Sequence, residues 1–304
     1  MKKVLLTGGT GFIGNNLVSF LTSRGIAVNI LSRNARSSSN KVIKYFQWNP
    51  QLQEIDLSCF EGVTDVINLA GANIGDKRWS IARKEEIVKS RIDSIRTLNK
   101  AIRGNNIQLN SFIGTSAVGY YGSVTEDLIF NEESPKGLDF LASVCDQWEE
   151  EYRGLDSDLI KNTSVLRLGV VLGREGEVYK KMRDLSRFYL GSPLGSGQQY
   201  LPWIHIEDLC GIFYFILQNG QSKTYNAVAD EHVTMSDFTN KLCRSINRRV
   251  VLPNVPRVVL KIVLGEMSSM VLEGTRIENS RIKKAGYVFK YSSLPEALNE
   301  LSKK

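Results

Sequence analysis

Thr7-Gly8-Gly9-Thr10-Gly11-Phe12-Ile13-Gly14 decides how the rest of this chain is read. Its glycines at 8, 11 and 14 spell G-x-x-G-x-x-G. Gly8 suits a sharp exit from a strand, Gly11 leaves room for a pyrophosphate to approach the backbone, and Gly14 lets a helix pack close to a sheet. A helix opening at that point offers free N–H groups and the positive end of its dipole to an anion. A glycine motif alone says little, and its setting carries the reading. Before it, Val4-Leu5-Leu6 is the short apolar run of a buried parallel strand. After it, Ile13, Leu17, Val18 and Leu21 recur at helical spacing, and Gly25 stands just past the end, where glycine closes a helix. Val28-Asn29-Ile30-Leu31 reads as a second strand. Residues 1–33 are thus strand, glycine turn, helix, strand.

The alternation continues downstream. Val66-Ile67-Asn68-Leu69 reads as a third buried strand, followed by a long helix with Val88, Ile92, Ile95, Leu98 and Ile102 on one face. Phe112 to Ser116 is a strand, Phe140 to Tyr152 a helix, and Val165 to Leu168 a strand. This order predicts an α/β chain: a Rossmann-type, doubly wound parallel sheet with helices on both faces. After about residue 170 the grammar changes. Gly191 to Gly197 is a loop, Pro253 and Pro256 precede a helical stretch over Val258–Val271, and a last helix starts at Pro295. Residues 1–170 are therefore expected to bind the dinucleotide, with later segments returning to their sheet. Residues 171–304 are expected to form a smaller C-terminal substrate lobe.

Composition bounds the function. A hydrophobic fraction of 42% and a charged fraction of 23% are ordinary for a globular protein. No apolar run reaches the length of a membrane span, and the N-terminal Val4-Leu5-Leu6 is cut off by glycines too early for a signal peptide. A cytoplasmic protein without a membrane partner is expected. The closest of the four cysteines, Cys210 and Cys243, are 33 positions apart, and the only histidines are His205 and His232. No metal site or disulfide framework is expected from such spacing. The net charge of +7 raises the question of nucleic acid. The basic residues are spread along the chain, and the densest stretch, Arg276 to Lys290, alternates with apolar residues like a solvated surface. An anionic cofactor accounts for the sign, and no nucleic-acid partner is expected.

The end of the second strand reports on the ribose. An acidic residue there would bind the 2′-hydroxyl of NAD. This chain instead has Ser32-Arg33, then Arg36. A guanidinium can grip a 2′-phosphate, so NADP(H) is the expected cofactor. An ordinary surface arginine would look the same.

The glycine pattern together with Asn68-Leu69-Ala70-Gly71 resembles the extended short-chain dehydrogenase/reductases. Further segments sharpen the likeness: Arg78-Trp79, Ser90-Arg91, Thr115 to Gly122, Gly195-Ser196-Gly197 and Trp203-Ile204-His205-Ile206. They are similar to an atypical, NAD-dependent epimerase/dehydratase-like group called epimerase family proteins. Leu264-Gly265-Glu266-Met267 resembles that group's C-terminal domain. The resemblance implies that Gly8, Thr10, Gly11, Phe12, Ile13 and Gly14 hold the pyrophosphate. It implies that Ser32 and Arg33 hold the adenosine phosphate, and that Leu69, Ala70 and Gly71 line the adenine-ribose side. Ala117 joins the cofactor contacts. Glu86 and Arg91 would face the cofactor's middle, Arg91 standing where extended members often carry a contacting asparagine. The same spacing suits a solvated helix face.

Ordinary members of the superfamily move a proton with Tyr-x-x-x-Lys on one helix face. Here the matching places hold Leu141 and Cys145, and neither does acid–base work in the usual way. Ser116 remains where such enzymes place a hydroxyl near the substrate carbonyl, with the register open by one residue. Tyr120 and Tyr121 follow and could replace the missing phenol, or simply pack beneath the second lobe. His205 could shuttle protons, or anchor a loop. Lys84 could reach the mouth of the cleft, but its setting suits a solvated face better. Three functions follow: an oxidoreductase or epimerase acting on a small carbonyl or sugar-type substrate; a non-catalytic NADPH-binding protein that reports redox state; and, disfavoured by the spread of the basic residues, a nucleic-acid-associated protein with a vestigial nucleotide fold. A homodimer is compatible with any of them.

Overall fold

Runs of apolar residues buried on both faces build the centre of the molecule. The protein is described by a computed structural model covering residues 2–34, 37–125 and 127–303. The first half comprises β1 (Lys3–Thr7), α1 (Phe12–Thr22), β2 (Ala27–Ser32), β3 (Ile43–Asn49), β4 (Glu54–Ile55), β5 (Asp65–Asn68), α2 (Ile81–Gly104), β6 (Leu109–Ala117), β7 (Ile129–Phe130), α3 (Phe140–Arg153) and β8 (Ile160–Leu168). The second half adds β9 (Val170–Leu172), α4 (Glu177–Arg187), β10 (Trp203–His205), α5 (Ile206–Asn219), β11 (Thr224–Ala227), α6 (Met235–Ser245), α7 (Arg257–Leu264), α8 (Ser269–Leu272), β12 (Arg276–Ile277), α9 (Ser280–Lys284) and α10 (Leu294–Ser302).

Among the described residues the main sheet has eight strands in the order β11-β8-β6-β5-β1-β2-β3-β4. Every pairing in it is parallel except that of β3 with β4. The order reverses beside β1, because the chain leaves β1 for β2 and β3 on one side and returns to β5 on the other. Such a reversal opens a crevice outside the carboxyl ends of the strands. One face of the sheet packs on α1 and α5 through Leu17, Leu21, Leu209 and Phe213. The other packs on α2 and α3 through Ile95, Leu98, Trp148 and Tyr152. The doubly wound α/β architecture expected from the sequence is the one observed.

The later half divides its allegiance. The helix α5 lies against α1, and β11 pairs with β8 at the edge of the main sheet. A separate core of Tyr179, Trp203, Phe238, Leu294 and Leu298 joins α4, α6 and α10. The helical stretch expected over Val258–Val271 is broken. Gly265 takes φ +61°, and α7 ends there in a 3-10 turn before α8 begins. The basic stretch Arg276 to Lys290 is largely neutralised in place. Arg276 faces Asp127, Arg281 faces Glu132 and Glu133, Lys283 faces Asp230, and Lys290 faces Glu207. No helix among the described residues is long and apolar enough to cross a membrane.

Candidate functional site

The glycine turn is shaped by close approach. Gly8 sits at φ +65°, and a Cβ there would lie 2.8 Å from the carbonyl of Leu69. A side chain at Gly14 would run into the Gly8 and Gly9 backbone. At Gly11 the nearest atom to an added Cβ is the Gly8 carbonyl at 3.4 Å, so the turn is open on its outer side. Gly11 is also the N-cap of α1 and supplies no side-chain cap. The first-turn N–H groups are therefore left for an anion. The residues present fit a dinucleotide's pyrophosphate.

A buried hydroxyl ties this turn to the next strand. Thr7 Oγ1 donates to Asn68 Oδ1 at 2.5 Å and accepts from the Leu69 and Ala70 N–H groups at 3.0 and 3.1 Å. Asn68 Nδ2 in turn donates to the Tyr152 hydroxyl at 3.0 Å, which donates to the Thr115 carbonyl at 3.2 Å. The carboxyl ends of β1, β5 and β6 are thus held by one network. Asn68 and Tyr152 were legible only as part of a motif and as a helix end, since a network between distant segments leaves no local pattern.

The resulting cleft has a volume of about 830 Å³. Gly8, Thr10, Gly11, Ser32, Arg33, Leu69, Ala70, Gly71 and Glu86 all line it. That volume suits a cofactor-sized ligand. Arg33 is exposed at its rim beside Asn34, whose N–H donates to the Ser32 hydroxyl at 3.3 Å. Arg36 lies outside the described residues. Trp48, Asn49, Pro50 and Gln51, at the end of β3, close the same cleft, as do Lys89, Ser90 and Asp93 on α2. Trp48-Asn49-Pro50 was the available signal for this wall: Asn49 caps the turn that begins at Pro50.

Phe12, Ile13 and Arg91 are not among the residues that line this cleft. Phe12 packs where side chains at Gly173 and Gly176 would be, and Ile13 packs on the core beneath α5. Glu86 is bound by the Arg83 guanidinium, which holds its carboxyl below the usual carboxylate range. Arg91 lies behind Gly71, stacks over Trp148 at 4.8 Å and donates to the Ala72 and Ile87 carbonyls. It supports the cleft wall from behind.

Ser116 and Ala117 end β6. The Ser116 hydroxyl is buried beside the Cys145 thiol and makes no hydrogen bond to an oxygen or nitrogen among the described residues. Its neighbour Thr115 is already committed, donating to the Asn68 carbonyl at 2.9 Å. Tyr121 is buried, donating to Asn226 Oδ1 at 2.7 Å and accepting from Arg167 Nη1 at 2.9 Å. Burial pushes its phenol up to about 12. Arg167 is also paired with buried Glu149 at 2.8 Å and covers the Tyr120 ring at 3.5 Å. Tyr120 is only half-buried.

His205 is buried as the N-cap of α5. Its Nδ1 accepts from the Glu207 N–H at 3.2 Å, and Nε2 faces Glu300 at 3.2 Å. Lys84 is paired with Glu266 and lies over the Phe140 ring. No group of three metal-ligating side chains occurs among the described residues.

The profile of the NAD dependent epimerase/dehydratase family matches residues 4–228. The chain belongs to that family. Residues 255–301 match a further domain of unknown function, DUF1731. Among its relatives is the Epimerase family protein SDR39U1 homolog, chloroplastic, of Arabidopsis thaliana. It is 36% identical over 98% of this chain and 86% of its own length. Epimerase family protein YfhF of Bacillus subtilis is 34% identical over 98% and 97%. The crystal structure of human epimerase family protein SDR39U1 with NADPH superimposes with a TM-score of 0.88. It is 32% identical and covers 99% of both chains.

In this epimerase/dehydratase chain the helix α3 presents no Tyr-x-x-x-Lys. Leu141 lies against Gly119, and Cys145 is buried near Ser116 and the Ala117 backbone. Burial pushes the Cys145 thiol up to about 11, which removes it as a nucleophile at neutral pH. The family label therefore fixes the cofactor fold more firmly than the chemistry.

Proposed function

We propose that this protein is an NADP(H)-dependent oxidoreductase or epimerase-like enzyme of the cytoplasm, acting on a small carbonyl or sugar-type substrate. Its cofactor, when bound, supplies or accepts a hydride. The first-turn N–H groups of α1 hold the pyrophosphate, and Ser32 and Arg33 hold the 2′-phosphate. Residues 171–304, apart from α5 and β11, supply the substrate side. Four buried free cysteines suit a reducing compartment.

The observation that carries the enzyme reading is the Ser116 hydroxyl, buried at the carboxyl end of β6 with the Cys145 thiol beside it and no oxygen or nitrogen partner among the described residues. A buried polar group is normally satisfied, and a hydroxyl left without an oxygen or nitrogen partner at the carboxyl end of a central strand suits a substrate oxygen. Tyr121 and His205 are committed to structural bonds, and Tyr120 is the phenol that keeps solvent access. Steady-state oxidation of NADPH against a panel of aldehydes, ketones and nucleotide sugars tests this. Ser116→Ala should lower kcat by about a hundredfold with NADPH affinity unchanged. An unchanged rate would remove Ser116 from the chemistry.

A second reading is favoured by Leu141 and Cys145 filling the usual acid–base places. The protein would then bind NADPH without turning over and report redox state. Tight binding with no turnover across the panel would establish it.

A further inference from the structure

The C-terminal lobe turns its apolar residues outward. In α7, Val258 is 66% exposed, Ile262 69% and Val263 61%, and only Leu260 is buried. A second stretch behaves alike: Phe188 is 76% exposed and Leu190 54%. The two stretches are joined. Leu194 bridges Val255 in parallel, the Ser192 hydroxyl donates to the Pro253 carbonyl, and Arg248 donates to the Arg187 carbonyl at 3.3 Å. Residues 192–195 and 253–255 therefore run side by side, Arg187 lies beside Arg248, and α7 continues from the end of this ribbon. An isolated exposed leucine needs no explanation, but a contiguous group does.

The charge around these residues selects the occupant. Residues 244–264 carry five Lys and Arg against no acid, whereas the whole chain carries 39 against 32; the four cations of residues 180–190 are paired with Glu175, Glu177 and Asp184. Some of this charge is paired, as Arg257 is with Glu273 at 2.7 Å. Arg248 instead directs its bonds to the backbone carbonyls of Arg187 and Asn247, and Lys261 stands exposed on α7. A second copy docking by two-fold symmetry would set basic patch against basic patch, at a cost. Nucleic acid would use the cations and leave the aliphatic side chains in water. An anionic bilayer takes both: headgroups face the cations, and short apolar side chains enter the interface.

We propose that the ribbon of residues 187–194 and 248–255, with α7, docks this protein peripherally on membrane surfaces bearing anionic phospholipid, in place of the sequence expectation of no membrane partner, which rested only on the lack of a spanning run. The eight-residue α7 lies on such a surface and does not span it.

Co-sedimentation of the full chain with vesicles tests the proposal. One set is pure phosphatidylcholine, and the other contains phosphatidylglycerol. Binding should be confined to the anionic vesicles and weaken with salt. The triple variant Val258→Ser/Ile262→Ser/Val263→Ser and the double variant Arg248→Glu/Arg249→Glu should each lower it about tenfold or more. Unchanged helical circular dichroism and NADPH binding would show that both variants fold. Absence of vesicle binding by the wild type overturns the proposal. So does binding lost on charge reversal but retained by the serine variant, which is electrostatic attraction alone. A lipid-free dimer that the serine variant abolishes would assign the face to a second copy, and would overturn it too.

Discussion

Ser116 and Thr115 are adjacent hydroxyls with different fates, and the difference lies in what each can reach. Thr115 meets the Asn68 carbonyl, while Ser116 has only the Cys145 thiol beside it among the described residues. The sequence left the register open by one residue, and this geometry favours Ser116. Tyr121 is the opposite case, a phenol whose hydrogen bonds to Arg167 and Asn226 are already made. Tyr121→Phe should therefore lower stability by about 1–3 kcal/mol, by leaving Asn226 and Arg167 short of a partner. Turnover should persist in the folded variant, as denaturant melts and rates would show. His205 gives a pH signature. Burial holds its imidazole below the usual histidine value, and the neutral ring caps α5 by accepting the Glu207 N–H. The unfolded chain then takes up a proton more readily than the folded one. This contribution to stability is complete above about pH 6.5 and is lost as pH falls from there towards the lowered folded value. Thermal melts of wild type and His205→Asn should converge as the pH is lowered through that window. Parallel curves would show that the imidazole does not titrate on folding.

At the scale of elements, the strands read correctly are those buried on both faces. The cores of β1, β2, β5, β6 and β8 appear as plain apolar runs, since nothing polar can point out of them. The strand β3 escapes that reading because it lies near the sheet edge and mixes Lys44 and Gln47 with half-buried aromatics. With it went the Trp48–Gln51 wall of the cleft. The break in the Val258–Val271 helix could not be placed without the left-handed conformation of Gly265. The pyrophosphate cradle, by contrast, is legible because its glycines are dictated locally by backbone contact. One glycine outside it is as strict. A Cβ at Gly114 would fall within the ring of Tyr152, which joins Asn68 to Thr115. Gly114→Ala should cost about 1–3 kcal/mol or more through overpacking, read as a lowered melting temperature. It should also weaken NADPH binding by displacing the Thr7–Asn68 network. Normal binding in a folded variant would show that the network does not position the cradle.

At the scale of the whole molecule, a Rossmann sheet carries the cradle, and later segments are bonded to the loop after β5 and the start of α2. Asn73 Nδ2 donates to Glu177 Oε2 at 3.1 Å, Lys84 pairs with Glu266, and Arg78 donates to the Ile262 carbonyl. The loop after β5 and the start of α2 are thereby tied to α4 and to the end of α7. Bound dinucleotide adds to the stability of this assembly by mass action, about 2.7 kcal/mol at a hundred times its dissociation constant. The account stands or falls on which dinucleotide that is. Calorimetric titration of cofactor-free wild type and Arg33→Ala with NADPH and NADH decides it. Wild type should prefer NADPH by roughly ten- to a hundredfold, the worth of a charge-assisted contact of about 1.5–3 kcal/mol. Arg33→Ala should erase the preference without weakening NADH. Equal affinity for both nucleotides in the wild type, or binding of neither, would contradict the account.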